Sequence, residues 1–120
     1  MRRGDDLRKR TKSFALRVIS MVETLPRGKS SDVIGRQLLR SGTSVAANYR
    51  AACRAKSRAD FISKMGTVEE ETDESMFWME LLVESGLMQE QFLKDLMHES
   101  REILAITVSS IRTVRKGAAA

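Results

Sequence analysis

Apolar residues recur at intervals of three, four and seven along most of this 120-residue chain, the spacing of one face of an α-helix. In the first stretch Leu7, Phe14, Val18, Met21, Val22 and Leu25 keep that spacing, and Arg8, Lys9, Arg10, Lys12 and Arg17 fall on the flanks and outer face. Asp5 and Asp6 suit the start of this helix, because short carboxylates accept from its free N–H groups and oppose its dipole. The pattern predicts a helix to about Thr24, ended by Pro26 and Gly28. A second helix, capped by Ser30 or Ser31, carries Val33, Ile34, Leu38 and Leu39 into R-S-G-T-S-V-A-A-N-Y-R-A-A, from Arg40 to Ala52, where bulky aliphatics almost vanish. Gly42 disfavours a helix by about 1 kcal/mol relative to alanine. Either Ser41-Gly42 ends the helix and Thr43 or Ser44 caps a new one, or the helix runs on. The stripe Ile34, Leu38, Ser41, Val45, Asn48, Tyr49 and Ala52 holds its register across the glycine and favours continuity. Gly42 then permits close helix contact.

Residues 54–60 hold the next turn, with Ser57 as cap of a third helix that runs to Ser85 and stops at Gly86. Its stripe, Phe61, Met65, Val68, Thr72, Ser75, Met79 and Leu82, is polar in the middle. A fourth helix is predicted from about Gln89 to Lys116, with Leu93, Leu96, Met97, Ile103, Leu104, Thr107, Val108, Ile111 and Val114 inward. Residues 1–4 and 117–120 are expected to fray. Four helices on short turns predict an all-α, antiparallel up-down-up-down four-helix bundle in a single domain. Leu16, Ile19, Leu39, Ile62, Met76, Leu81, Val83 and Ile106 exceed one stripe, which fits either a wide core or a second, self-associating face.

Composition narrows the function classes. One cysteine, Cys53, forms neither an internal disulfide nor a zinc site, and among alanines it reads as a small packing residue. No apolar run approaches the roughly 20 residues a membrane span needs, and no apolar segment follows the basic N-terminus as a secretory signal requires. A cytoplasmic protein without a membrane partner is expected. The net charge of +5 is unevenly spread: residues 1–58 carry fifteen Lys or Arg against four acids, and residues 59–86 carry one against eight. The two regions can bind each other within the bundle, or the basic one can face a polyanion.

The candidate chemistry is sparse. If the second and third helices form a hairpin turning near residue 56, Arg40 lies level with Asp73 and Glu74, and Asn48 with Met65, which predicts an Arg–carboxylate pair fixing their register. Glu71-x-x-Glu74 and Glu99-x-x-Glu102 can present carboxylate oxygens to Mg²⁺, as in all-helical nucleotide pyrophosphohydrolases. Such pairs also arise on any solvated Glu-rich helix. His98, the sole histidine, lacks the partners a metal site needs even with Asp95, and reads as a surface residue. No cofactor is expected. The cationic set Arg8, Lys9, Arg10, Lys12 and Arg17, with Arg2, Arg3, Arg112, Arg115 and Lys116, is the best candidate for a surface that meets nucleic acid or a nucleic-acid-processing protein, by phosphate contact that is salt-dependent and indifferent to sequence, and it equally fits an ordinary solvated basic face.

The run R-S-G-T-S-V-A-A-N-Y-R-A-A, then S-R-A-D-F-I-S-K-M, then E-E-E-T-D-E-S-M-F-W-M-E-L-L-V-E-S-G-L resembles the bacterial four-helix bundle proteins encoded by intervening sequences of 23S ribosomal RNA genes. The resemblance covers nearly the whole chain and is most specific from Arg40 to Leu87. It implies a second helix unbroken through Gly42, a ring-shaped homopentamer, and no established molecular activity for most members. Related bundles are accessory proteins of diversity-generating retroelements, where they bind nucleic acid and a reverse transcriptase. The family's Asn-Tyr-Arg falls on Asn48, Tyr49 and Arg50, its Asp-Phe on Asp60 and Phe61, its glutamates on Glu71 and Glu74, and its tryptophan on Trp78. Arg40, Asn48, Glu71, Glu74 and Trp78 are thereby expected to form a structural polar core. Ala51, Ser75 and Phe77 stand where the family has glutamate, threonine and tyrosine.

Overall fold

The computed structural model describes residues 3–119, with side chains described from 6 to 117. Met1, Arg2 and Ala120, and the side chains of Arg3 and Asp5, lie outside the described residues, so the capping expected of Asp5 and the cationic contribution expected of Arg2 and Arg3 lie there too. The four helices are α1 (Arg3–Val22), α2 (Lys29–Ala52), α3 (Arg58–Glu84) and α4 (Glu90–Ala119). They form one rod with extents of 51 × 22 × 22 Å. Successive helices are neighbours, and α4 closes back on α1 along the most thinly packed seam. Contacts run in opposite directions on successive helices: Gly42 meets Val18 while Gly35 meets Val22 and Leu25. Ser41 meets Ser75 and Ser100 meets Met76, and the connections 53–57 and 85–89 are too short to run back along a helix, so these pairs are antiparallel as well.

Its core is the predicted stripes. Leu7, Phe14 and Val18 meet Leu38 and Val45 from α2, Met65, Val68, Met79 and Leu82 from α3, and Leu93, Leu96 and Ile103 from α4. Half of the surplus apolar residues widen this core: Ile62, Met76, Val83 and Ile106 are partly buried against it. Leu16, Ile19, Val33, Phe77 and Phe92 stay exposed.

The helix α2 passes unbroken through Gly42. Its small residues face different neighbours by turns: Gly42 lies against Val18 of α1, and the fully buried Ser41 accepts at 2.9 Å from the Ser75 hydroxyl of α3. Glycines 35 and 42, two helical turns apart, present bare backbone to α1, which is why α1 and α2 approach so closely.

The ends follow local chemistry with small shifts. Ser57 caps α3 by accepting from the Asp60 N–H at 3.0 Å. Past its end Gly86 takes φ +80°, a left-handed conformation that suits glycine, with its N–H donating to Val83 O. The predicted serine cap of α2 is not used: Gly28 occupies the N-cap and offers no side chain. The first helix stops at Val22 because Thr24 N–H and Leu25 N–H turn back to Met21 and Val22 carbonyls. At the far ends α1 already begins at Arg3 and α4 continues to Ala119, so helix occupies segments expected to fray. Cys53 is exposed past the end of α2 rather than packed.

The start of α3 carries a pH dependence. The Lys64 ammonium and the Lys56 backbone N–H hold the Asp60 carboxyl below its ordinary value. A carboxyl depressed in the folded chain adds stability above its unfolded value of about 3.9, and that stability is lost as the pH falls through the folded value. The unfolding midpoint of Asp60→Asn is therefore expected to lie below wild type at pH 7 and to approach it as the pH is lowered through the folded value, as denaturant titrations at falling pH will read.

Candidate functional site

The residues expected to form a polar core separate into three environments. Arg40 reaches across to α3 as the hairpin register predicts: Nη1 donates to both oxygens of Glu71, at 3.1 and 3.3 Å, and Nη2 donates to Glu74. Asp73, the other level candidate, is exposed and takes no part. The cluster is a rim feature rather than a core one, since the Arg40 side chain is 49% exposed. Asn48 does not reach α3: its Nδ2 donates to the Ser44 carbonyl at 2.9 Å and to Ser44 Oγ at 2.8 Å, bracing α2 against itself. Trp78 packs edge-on against Phe77, ring centroids 5.0 Å apart, and its buried Nε1 has no acceptor. The buried polar contact between α2 and α3 is instead Ser41 with Ser75: Ser75 Oγ donates its one hydrogen to Ser41 Oγ, or alternatively to Glu71 O at the same 2.9 Å, and Ser41 Oγ donates to Leu38 O.

A second ion pair joins the ends of the chain's order. Arg10 on α1 donates through Nε and Nη2 to the two oxygens of Glu99 on α4, at 3.0 and 2.7 Å. The Glu99 hydrogen bonds raise the Arg10 guanidinium above its ordinary value, against the opposing effect of burial. This fork-to-fork geometry orients both groups. It also removes Arg10 from the free cationic set and Glu99 from the acidic one. Each predicted carboxylate pair thus has an arginine in place: Arg40 on Glu71 and Glu74, Arg10 on Glu99. Among the described residues no group of three or more His, Cys, Asp or Glu is gathered to hold a metal ion. His98 is exposed and lies 3.9 Å from Glu102, one turn along its own helix.

The remaining cations of α1 do meet other elements. Arg8, Lys9 and Lys12 form one wall of a cleft of about 550 Å³ between α1 and α2, with Arg50 opposite and Thr11, Ala46, Ala47 and Tyr49 beneath. Among the described side chains no carboxylate lines it. Ala46 and Ala47 leave the groove open between two helices that glycines draw together lower down. Arg17 is exposed on α1 but outside this lining. A neighbouring cleft of about 560 Å³ shares Ala47 and Arg50 and adds Ala51, Arg54, Lys56, Asp60 and Lys64. The antiparallel order puts the start of α1, the end of α2, the start of α3 and the end of α4 at one end of the rod, so Arg112, Arg115 and Lys116 share it. Arg50, Arg54 and Lys56 are absent from the set read off the sequence. The signal available was the alternation of alanine with arginine after residue 45, whose meaning depends on what packs beside it.

Four antiparallel helices, a small-residue α1/α2 seam and one cationic end define an all-α bundle with a polyanion-compatible surface. The chain belongs to the 23S rRNA-intervening sequence protein family, whose sequence model matches residues 5–109. It is similar to a crystal structure of a protein of unknown function from the S23 ribosomal protein family of Bacteroides thetaiotaomicron, with 33% sequence identity and a TM-score of 0.82 over 88% of this chain and 97% of that one. No curated protein matches the chain. Among the described residues no helix is long and apolar enough to cross a membrane.

Proposed function

We propose that the protein is a non-catalytic, cytoplasmic bundle that assembles with copies of itself, as a pentamer by family resemblance, and binds nucleic acid through the cationic end of the rod. The observation that carries this reading is the α1/α2 cleft, where Arg8, Lys9, Lys12 and Arg50 converge with no lining carboxylate among the described side chains. Cations so placed attract phosphates, and assembly multiplies the field. Among its described lining residues the cleft offers no aromatic stacking platform, since Tyr49 is buried, so affinity rests on the backbone of the nucleic acid.

Fluorescence anisotropy with labelled single-stranded RNA and DNA tests this. Binding is expected at low salt and should weaken by at least tenfold between about 50 and 200 mM salt, with little sequence preference. No binding at low salt would remove the reading. The competing hydrolytic reading is tested by incubating the protein with nucleoside triphosphates and Mg²⁺: no pyrophosphate release is expected, and release abolished by Glu71→Gln would overturn the non-catalytic assignment.

A further inference from the structure

We infer that the second cleft, at the α2–α3 turn, is the docking site for the acidic outer stripe of α3 on another copy of this chain. This rests on the assembly proposed above and supplies its contact. On α3 the exposed residues Asp73, Phe77, Glu80 and Glu84 follow one another at intervals of four, three and four, which puts them on one face. None of these three carboxylates has an ion-pair partner among the described residues. In their midst Phe77 is 48% exposed. Glu71, Glu74 and Ser75 turn toward α2, so this face lies on the other side of α3 from the cations of α2.

The cleft offers the complement. Arg50, Arg54 and Lys56 are exposed around it, and Ala47 and Ala51 leave its floor shallow and apolar. It differs from the α1/α2 cleft in containing a carboxylate, Asp60, which Lys64 and the Lys56 N–H already engage. A bare phosphate chain gains least in such a mixed setting. A helix that brings an aromatic knob flanked by carboxylates fits it: Phe77 sits on Ala47 and Ala51, and Asp73 and Glu80 meet Arg54 and Lys56. The two surfaces are different patches of one chain, so every copy both gives and receives a contact, and the assembly closes when all patches are matched.

Light scattering with size-exclusion chromatography on the full chain tests this, with circular dichroism confirming helical content. The wild type is expected to be an oligomer. Reversing either side, Asp73→Lys with Glu80→Lys or Arg54→Glu with Lys56→Glu, should shift the mass to that of a monomer, because like charges then face each other. All four substitutions in one chain should restore the wild-type mass. Reversed variants that stay assembled, or a fourfold variant that stays monomeric while its helical content is intact, would overturn the interface and leave the assembly reading standing. A monomeric wild type would overturn both. Nucleic-acid binding by Asp73→Lys with Glu80→Lys should persist, since neither residue lines the α1/α2 cleft.

Discussion

Gly42→Val is expected to lower the free energy of unfolding by about 3 kcal/mol, and even Gly42→Ala should cost stability despite the better helix propensity of alanine. A Cβ at residue 42 would lie 2.9 Å from both γ carbons of Val18 and 3.1 Å from its Cβ. The γ carbons of a β-branched side chain have little rotameric freedom in a helix, and the Cβ moves only with the backbone. Helix propensity favours alanine by about 1 kcal/mol, while overpacking a filled seam costs about 1–3 kcal/mol, so the clash wins. The effect should be strongly coupled to its cause. In Val18→Ala the same Gly42→Ala change should be nearly neutral or stabilising, a coupling of more than 1 kcal/mol in a double-mutant cycle read by denaturant titration. A Gly42→Ala variant more stable than wild type would show that the helices do not approach as closely as described.

The second large effect belongs to the seam that packing secures least. Arg10→Ala is expected to cost about 2 kcal/mol, since it strands Glu99, only 18% exposed, without its charged donor. Because α1 and α4 share the least packed interface, the loss should be local as well as global. Amide exchange in the first half of α1 and the facing part of α4 should rise more than in α2 and α3. Arg10→Lys should recover little, because an ammonium cannot make the two parallel bonds of the guanidinium. Arg40→Ala serves as the contrast: its half-exposed cluster should be worth under about 1 kcal/mol. Equal costs at the two arginines would contradict this ranking.

Much of the architecture is legible in the residues. A stripe that keeps its register through Gly42, a serine at 57 followed by an acid three residues on, and a glycine after Ser85 specify continuity, a start and a stop by local chemistry alone. Hairpin geometry also brings Arg40 to the level of Glu74, because a tight turn fixes which residues are opposite, but it names Asp73 beside it where the structure has Glu71. What local chemistry does not specify is rotation about each helix axis. Asn48 shares a plausible stripe with Val45 and Ala52, yet it turns just far enough to bond Ser44 instead of α3. Trp78 is partly buried as a residue, yet its N–H is fully buried and finds no acceptor. The Arg10–Glu99 pair is illegible for a different reason: 89 residues and two helices intervene, and each partner alone looks like an ordinary solvated charge. The cationic end was half legible. The Lys and Arg run of α1 is plain, but its partner Arg50 becomes a wall of the same cleft only through the alanines that hold the groove open.

The most direct test of the central claim compares two sets of charge removals in the anisotropy assay with labelled single-stranded RNA. One variant carries Arg8→Gln, Lys12→Gln and Arg50→Gln in the cleft; the other carries Arg112→Gln, Arg115→Gln and Lys116→Gln at the exposed end of α4. Both lose the same formal charge. If the cleft is the site, the first should bind at least tenfold more weakly and its salt slope should fall by about 2–3, while the second stays within about twofold of wild type. Equal losses in the two variants would mean that the rod attracts polyanions by net charge alone and that the cleft is not where they bind.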